Sequence, residues 1–276
     1  MPTPRQLLAQ AKIRPKKRYA QNFLQNENAV RAIAVLALED VARDARVLEI
    51  GAGTGALTLA LLEQGADLTA IEIDPELVAL LRARDDLSRA RIIEADALTF
   101  DYGTWADGNP WHAAGNLPYN VATAVLLRLI EMEDGPASLT VMVQKDVAER
   151  FAAAAGTRSY GSLSIAVQYA MLVTKEMTLS PGSFYPAPKV ESSVVRLVRR
   201  ARPAAQPRDP ATFWKVVRGA FAYRRKTLAN SLALALGIER ARIARALNSI
   251  HLAPELRGER LDLADFARLA DALAEE

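Results

Sequence analysis

The sequence contains no cysteine, only two histidines and few aromatic residues, which make up 6% of its 276 positions. Disulfides and thiolate zinc sites are therefore excluded, and His112 and His251 are too far apart in sequence to indicate a histidine metal centre. No apolar run approaches the roughly 20 residues that a membrane span needs, and the N-terminal region lacks the apolar core of a secretion signal. We expect a cytoplasmic protein that binds neither metal nor membrane.

The net charge of +3 is unevenly distributed along the chain. Residues 1–31 carry seven Lys or Arg against one acidic residue, residues 32–200 carry 15 against 22, and residues 201–276 carry 13 against nine. An acidic middle between basic ends favours a polyanionic partner, because Lys and Arg that neutralise phosphates release counterions. Charge alone does not distinguish such contacts from an ordinary solvated tail.

Residues 47–197 alternate short β-rich runs with helical apolar periodicity, which predicts a mostly parallel α/β sheet covered by helices. Two later β-branched runs predict an antiparallel hairpin at one edge of this sheet. The predicted strands are Val47–Ile50, Thr69–Ile73, Arg91–Glu94, His112–Gly115 and Leu139–Gln144, and the hairpin runs are Leu163–Thr178 and Ser192–Arg199.

Residues 201–210 are rich in proline and arginine and predict a linker. Residues 211–276 show only helical periodicity, which predicts a small all-helical domain. We therefore expect a basic N-terminal segment at residues 1–30, an α/β domain at 31–200, the linker, and the helical domain.

An apolar strand runs directly into a glycine-rich turn in Val47-Leu-Glu-Ile-Gly-Ala-Gly-Thr-Gly-Ala-Leu-Thr58. Glycines at alternate positions allow unusual backbone angles and the close approach of a ligand. The spacing differs from the Gly-x-Gly-x-x-Gly of dinucleotide-binding proteins, and no P-loop lysine follows. A pyrophosphate is thus not the favoured ligand, and binding of NAD stays a minor alternative.

Acidic residues follow at the ends of the next two predicted strands. The Glu72 carboxylate is placed to accept hydrogen bonds from ribose hydroxyls, and Asp96 is placed to accept one from an adenine amine. Together with the glycine-rich turn, they predict a nucleoside bound across three strand ends.

The fourth predicted strand runs into Gly115-Asn-Leu-Pro-Tyr-Asn120. The side-chain oxygen of Asn116 and the backbone carbonyl of Leu117 can accept both hydrogens of an exocyclic amine. Pro118 restricts the turn, and Tyr119 offers a flat face on which an extruded base can stack. Phe184, in a proline-rich loop, is predicted to form the opposite wall of this base slot.

These motifs resemble those of the ribosomal RNA adenine N6-dimethyltransferases. Asn116-Leu-Pro-Tyr119 resembles the family's Asn-Leu/Ile-Pro-Tyr signature, Lys17-Arg-Tyr-Ala-Gln-Asn-Phe-Leu24 its Gly-Gln-Asn/His-Phe-Leu segment, and Phe184-Tyr-Pro-Ala-Pro-Lys-Val190 its Phe-x-Pro-x-Pro-Lys-Val motif. Ala20 departs from the pattern, because the family usually has glycine before Gln21. The resemblance covers about residues 16–197.

The resemblance implies a Rossmann-like class I methyltransferase sheet that binds S-adenosylmethionine, with the N-terminal segment closing over the cofactor. The implied cofactor-binding residues are Asn22, Leu24, Gly51, Gly53, Glu72, Ile73, Asp96, Ala97 and Asn116. The implied catalytic residues are Asn116, Leu117, Pro118, Tyr119 and Phe184.

Within the family, Ala220-Phe-Ala-Tyr-Arg-Arg-Lys-Thr-Leu-Ala-Asn-Ser231 is similar to the branch that dimethylates two adjacent adenosines near the 3′ end of 16S rRNA in the 30S subunit. Arg224, Arg225 and Lys226, interpreted as part of a helix, are predicted to contact RNA phosphates. We expect a monomer that takes part in small-subunit biogenesis.

Three alternatives remain open. Dimethylation of 23S rRNA is disfavoured by the Arg-Arg-Lys stretch and the length of the C-terminal domain. A DNA adenine methyltransferase usually has Asp/Asn-Pro-Pro-Tyr. Leu117 stands at the second position of this motif and therefore disfavours that alternative. An RNA-binding assembly factor without turnover is disfavoured by the intact Glu72, Asp96, Asn116 and Tyr119.

Overall fold

A computed structural model describes residues 2–42, 45–223 and 225–275. The chain divides into two compact units, the first formed by Met1–Ala148 with Leu172–Arg199 and the second by Glu149–Met171 with Arg200–Glu276. The predicted division at residues 201–210 differs from this one, because residues 149–171 group with the C-terminal part of the chain. No helix within the described ranges is long and apolar enough to cross a membrane.

Short strands alternate with helices along most of the chain. The strands are β1 (Phe23–Leu24), β2 (Arg46–Ile50), β3 (Asp67–Glu72), β4 (Arg91–Glu94), β5 (Trp111–Asn116), β6 (Ser138–Gln144), β7 (Met171–Leu179), β8 (Phe184–Tyr185) and β9 (Ser192–Arg199). The α-helices are α1 (Pro4–Gln10), α2 (Glu27–Ala37), α3 (Ala56–Glu63), α4 (Pro75–Arg82), α5 (Tyr102–Ala106), α6 (Ala122–Glu131), α7 (Lys145–Phe151), α8 (Ser162–Ala170), α9 (Pro210–Ala222), α10 (Leu228–Leu236), α11 (Arg240–Ser249) and α12 (Leu263–Glu275).

The main sheet of the first unit has the strand order β4-β3-β2-β5-β6-β9-β7. Strands β4, β3, β2, β5 and β6 are parallel, and β9 pairs antiparallel with β6. The chain leaves β2 toward one edge through β3 and β4, and then returns to the other side of β2 with β5. This reversal places a crevice at the carboxyl ends of β2 and β5, where open α/β sheets bind their ligands.

The five predicted parallel strands are confirmed, and the sheet is mostly parallel with an antiparallel edge, as predicted. The predicted strand over 163–178 is wrong in its first half, because residues 162–170 form α8 and only residues 171–179 form a strand. Ile165 and Val167 alternate as strand residues do, but Ser164 Oγ accepts a hydrogen bond from the Gly161 backbone N–H at the start of the helix. This local hydrogen bond favours the helix over the β propensity of the two branched residues.

Each unit has its own hydrophobic core. In the first unit, apolar side chains of α2 and α3 pack with those of the central strands, including the fully buried Ala34, Leu61 and Ala70. In the second unit, α8 to α12 surround a core that includes Phe213 and Phe266. The helical C-terminal part agrees with the all-helical prediction for residues 211–276.

Candidate active site

A cavity of about 310 Å³ opens at the carboxyl ends of the parallel strands in the first unit. Its lining comes from the N-terminal segment, the glycine-rich turn after β2, the end of β3, the loop after β4 and the loop after β5. These parts bring together almost all predicted site residues, namely Asn22, Leu24, Gly51, Gly53, Glu72, Ile73, Asp96, Ala97, Asn116, Leu117, Pro118 and Tyr119.

The glycine-rich turn places backbone amides beside the acid at the end of β3. Gly51 and Gly53 have φ angles of +77° and +58°, which only glycine adopts without strain. The Gly51 N–H donates to the Ile71 carbonyl, and the Gly53 N–H donates to Glu72 Oε2, at 2.9 Å in both cases. A side chain at Gly53 would lie 3.0 Å from the ring of Phe23, so the turn also contacts the N-terminal segment directly.

The Glu72 carboxylate is held by three backbone N–H groups. Oε1 accepts from Ile73 and Asp74 at 3.0 Å each, and Oε2 accepts from Gly53. Burial raises the pKa of Glu72 above its ordinary value, although these hydrogen bonds oppose the rise. A carboxylate offers about four acceptor positions, so Oε2 retains one that a hydroxyl at the cavity wall can use.

Some acceptor atoms of Asp96 are hydrogen-bonded within its own loop, and one is available to a ligand. Its Oδ1 accepts from the Leu98 N–H at 2.8 Å, and its backbone carbonyl accepts from Thr99 and Phe100. Among the described residues, none donates to Oδ2. The Asp96 side chain is therefore oriented by its own loop and has one oxygen left for a ligand in the cavity.

Hydrogen bonds and ion pairs connect the N-terminal segment, residues 16–24, to the start of α4. The fully buried Asp74 accepts from Lys16 Nζ at 2.6 Å and from Gln21 Nε2 at 2.9 Å. The Lys16 backbone N–H donates to Gln21 Oε1 at 2.7 Å, and Lys16 Nζ also contacts Glu76. Burial alone would raise the pKa of Asp74, but the bonds from Lys16 and Gln21 outweigh it and hold that pKa below its usual value.

Ala20 adopts φ 48°, in the left-handed region that favours glycine. The Ala20 methyl group is compatible with the contacts of the next two residues, since Gln21 donates to Asp74 and Asn22 Nδ2 donates to the Ala20 carbonyl.

The last residue of β5 and the loop after it lie beside this segment and are linked to it by a hydrogen bond. Asn116 Nδ2 donates to the Asn22 carbonyl at 2.8 Å, and no donor reaches Asn116 Oδ1 among the described residues. The Leu117 N–H donates to the Met142 carbonyl, while the Leu117 carbonyl accepts no hydrogen bond from the described part of the chain. Two acceptors of this loop are thus available to an amine.

Tyr119 is fixed from behind by Ser192 of β9, whose hydroxyl lies 2.5 Å from the phenol oxygen. Burial raises the pKa of Tyr119, with the Ser192 hydrogen bond acting in the opposite direction. The ring lines the cavity and is only partly buried. Its orientation is therefore set before any base binds.

The structure places Phe184, predicted to form the opposite wall of the base slot, in the hydrophobic core. Its side chain is 2% exposed, belongs to the hydrophobic core around Leu24, and does not line the cavity. The reason is the short antiparallel pair of β1 and β8, in which Phe184 lies opposite Leu24. The aromatic residues that line the cavity with Tyr119 are Tyr19 and Phe23 of the N-terminal segment.

The basic stretch lies in the second unit. Arg225 and Lys226 are exposed in the turn between α9 and α10, so their predicted placement on a helix is wrong. Arg224 lies outside the described residues. The Lys226 N–H donates to the Tyr223 carbonyl, and Thr227 then caps α10.

Sequence reasoning missed Glu49, which lines the cavity from within β2. The residue is 1% exposed, and its Oε2 has no hydrogen-bond partner within the part of the chain that the structure describes. Burial raises the pKa of Glu49 to about 8, and the nearby Glu72 adds to this effect. The signal was available, because a glutamate inside the apolar run Val47-Leu-Glu-Ile50 needs a reason to be buried.

The sheet order and the cavity at its strand ends define a class I methyltransferase fold. The cavity volume is within the range of small-ligand sites, roughly 300–1,000 Å³. The oxygens of Asp96 and Glu49 that accept no hydrogen bond from the described residues suit a ligand with hydrogen-bond donors, which S-adenosylmethionine carries.

Comparisons with known proteins agree with this class. A sequence model of the family described as ribosomal RNA adenine dimethylase matches residues 12–275. The chain is 42% identical over 266 residues to ribosomal RNA small subunit methyltransferase A of Pseudomonas aeruginosa, covering 95% of this chain and 96% of the relative. It is 41% identical over 266 residues to the protein of the same name from Geobacter metallireducens, with the same coverage of both chains.

Two solved structures share the fold. A dimethyladenosine transferase from Plasmodium falciparum superposes with a TM-score of 0.74 at 24% identity, covering 90% of this chain and 95% of the other. The 23S rRNA methyltransferase ErmE gives 0.70 at 25% identity, covering 92% and 100%. The chain belongs to the ribosomal RNA adenine dimethylase family. It is a methyltransferase that uses S-adenosylmethionine to methylate adenosine in ribosomal RNA.

Proposed function

We propose that this enzyme dimethylates the N6 amines of two adjacent adenosines near the 3′ end of 16S rRNA in the 30S subunit, during small-subunit biogenesis. The support is the name of the relatives at 42% and 41% identity, both small-subunit methyltransferases matched over nearly their full length. We further propose that it acts as a monomer in the cytoplasm, where ribosomal particles assemble.

For the cofactor, we assign the ribose to Glu72 and the adenine amine to Asp96. Backbone N–H groups orient both oxygens of Glu72 and one oxygen of Asp96, and each carboxylate retains acceptor capacity toward the cavity. Ile73 and Ala97 are the neighbours of these acids in the lining, and we assign them to the faces of the nucleoside.

We assign the methionine end of the cofactor to the space between the glycine-rich turn and the N-terminal segment. Gly51 and Gly53 allow close approach there, and Asn22 and Leu24 of the segment line the same space. The buried Glu49 carboxyl has an unused oxygen at this wall.

The observation that carries the proposed chemistry is the hydrogen bond from Asn116 Nδ2 to the Asn22 carbonyl. It fixes the side-chain amide, so Oδ1 is an acceptor, and the Leu117 carbonyl is a second one. Together they accept both hydrogens of the N6 amine and thereby direct its lone pair away from them. Pro118 restricts the turn between them and Tyr119, on which the base stacks.

S-adenosylmethionine supplies a methyl group on a sulfonium, which is already a good leaving group. The protein therefore needs to align the nucleophile more than to activate it. No strong general base is required, since the amine becomes acidic once it is alkylated and its proton passes to solvent. Asn116 and Leu117 orient the amine, and Tyr119 holds the base plane.

For the RNA, we propose that Arg225 and Lys226 contact phosphates, together with Arg224. The two described residues are exposed and lie in a turn. Phosphate contacts of this kind position the RNA without reading its sequence. Recognition of the particle then rests on RNA shape.

The test is transfer of labelled methyl groups to unmethylated 30S particles, with 50S particles, naked 16S RNA and DNA as parallel acceptors. Nucleoside analysis should find dimethyladenosine at two adjacent positions of 16S RNA from the 30S reaction only. Label in 50S RNA would instead favour the activity named for ErmE, and label in DNA a DNA adenine methyltransferase. Tight 30S binding without transfer would favour an assembly factor.

A further inference from the structure

An arginine of α6 forms hydrogen bonds with the 96–100 loop, which carries Asp96. Arg128 Nη1 donates to the Ala97 carbonyl at 3.1 Å, and Nη2 donates to the Phe100 carbonyl at 2.8 Å. A planar guanidinium can hold two carbonyls in fixed geometry, whereas a lysine ammonium is a single point charge. One side chain thus bridges both ends of the turn that follows Asp96.

Tyr102 also forms a hydrogen bond with this loop. Its hydroxyl donates to the Ala97 carbonyl at 2.7 Å, and the Arg128 guanidinium lies over its ring, 4.8 Å from the centroid. The ring is 1% exposed and stacks on Trp111 at a centroid distance of 5.8 Å. Burial raises the pKa of Tyr102 to about 12, so the hydroxyl keeps its proton at neutral pH.

Helix α6 connects this loop to the loop of the target base. The Pro118 carbonyl accepts from the N–H groups of Val121 and Ala122, so the helix begins at the end of the 116–121 turn. Val121, Val125 and Arg128 have the spacing of one helix face. Both valines line the cavity. A single face of α6 therefore runs along the cavity from the base loop to the 96–100 loop.

We propose that Arg128, braced by Tyr102, is a positioning residue that holds the 96–100 loop in the shape in which Asp96 receives the adenine amine of the cofactor. This inference rests on the proposed assignment of Asp96. Without Arg128, the Phe100 carbonyl loses its side-chain donor and the Ala97 carbonyl keeps only the Tyr102 hydroxyl. The loop can then rotate, and Asp96 Oδ2 leaves the position of the amine.

The test compares binding of S-adenosylhomocysteine with binding of S-inosylhomocysteine, which has an oxo group in place of the adenine amine. Isothermal titration calorimetry on the full chain should show that the wild type prefers the adenine ligand. In Arg128→Met we expect about 10-fold weaker binding of S-adenosylhomocysteine, the effect of about 1.4 kcal/mol. Binding of the inosine ligand should change less than twofold, so the preference largely disappears.

Two further variants test the separate contributions of the Arg128 cation and the Tyr102 hydroxyl to this preference. Arg128→Lys restores one cation and should recover part of the preference. Tyr102→Phe removes only the hydroxyl and should weaken binding of S-adenosylhomocysteine about threefold, again with little change for the inosine ligand. At saturating S-adenosylmethionine, kcat for methyl transfer should stay within twofold of the wild type in all three variants. If Arg128→Met does not fold, Tyr102→Phe carries the same comparison.

The matched control is Arg199→Met. Arg199 also donates to backbone carbonyls of α6 and its following turn, namely those of Leu129, Ile130 and Pro136. Its loss should lower the melting temperature but leave the preference unchanged. Equal loss of both ligands in Arg128→Met, or the same loss in Arg199→Met, would overturn the inference. A wild type without preference would instead overturn the assignment of Asp96, on which the inference depends.

Discussion

The side-chain amide of Asn116 donates to the backbone carbonyl of Asn22 at 2.8 Å, across 94 positions of sequence. The loop that we propose to receive the target base is thereby joined to the segment that we propose to cover the cofactor. This bond sets the orientation of the amide, and its oxygen is the acceptor atom available to the substrate amine.

This arrangement predicts the effect of Asn116→Ala. The variant loses the acceptor for the amine and the contact with Asn22, so we expect kcat for methyl transfer to fall about 100-fold, as reactive groups lose their alignment. Single-turnover transfer of labelled methyl to 30S particles measures it. Asn109→Ala, in a turn away from the cavity, is the control. A rate within threefold of the wild type would contradict the role of Asn116.

Two substitutions of Tyr119 can distinguish the role of its ring from the role of its hydroxyl. We expect Tyr119→Ala to lower kcat/KM for the RNA about 10- to 100-fold, because stacking of a base on an aromatic ring contributes about 1–3 kcal/mol. Tyr119→Phe keeps the ring and loses only the bond to Ser192, so its kcat/KM should fall less than fivefold. Equal losses in both variants would show that the hydroxyl, not stacking, is what matters.

Gly53 is expected to tolerate no side chain. Gly53→Ala combines strain at φ +58° with a Cβ 3.0 Å from Phe23, whereas Gly65→Ala has φ +90° and open space. Both variants should lose about 1–2 kcal/mol of unfolding free energy from left-handed strain. Only Gly53→Ala should also weaken binding of S-adenosylhomocysteine, which calorimetry measures. Unchanged binding would show that Phe23 moves aside freely.

Glu49 should make stability depend on pH. Its pKa is raised from 4.5 to about 8 on folding, so the folded state binds the proton more tightly than the unfolded chain. The resulting stabilisation is full below pH 4.5 and is lost as the pH rises toward 8. The slope is at most about 1.4 kcal/mol per pH unit.

Glu49→Gln removes this dependence. The unfolding free energy of the variant minus that of the wild type should therefore increase between pH 5 and pH 8 and then level off, measured by urea denaturation without cofactor. Glu63→Gln, at an exposed glutamate of α3, should show a constant difference. A flat difference for Glu49→Gln as well would mean that the carboxyl is ionised when buried.

Gln21 should control the opening of the N-terminal segment. Gln21→Met loses the bonds to Asp74 and to the Lys16 backbone, each contributing about 1 kcal/mol. Trypsin cleavage around residues 16–18 follows the open population when reclosing is fast, and should accelerate about 30-fold, the factor that corresponds to about 2 kcal/mol. Gln10→Met, at an exposed position of α1, is the control. Cleavage at the wild-type rate in Gln21→Met would show that the segment is held elsewhere.

Local patterns in the sequence were sufficient to predict the parallel strands and the residues at their carboxyl ends. Apolar runs that end in glycine or acid predicted where β2, β3 and β4 stop, and the ends of neighbouring parallel strands meet at one edge of a sheet. Glu72, Asp96 and Asn116 were therefore predictable as a group. Such predictions succeed because strand periodicity and glycine conformations depend on a few neighbouring residues.

Tertiary structure alone decided the contacts between distant segments. These contacts join residues between 28 and 160 positions apart. They are the bonds from Lys16 and Gln21 to Asp74, the packing of Phe184 against Leu24, and the hydrogen bonds of Arg128 to the 96–100 loop. Local patterns also predicted a strand where α8 forms. The physical reason is that hydrogen bonds and burial between distant segments depend on how the chain packs, which no local periodicity encodes.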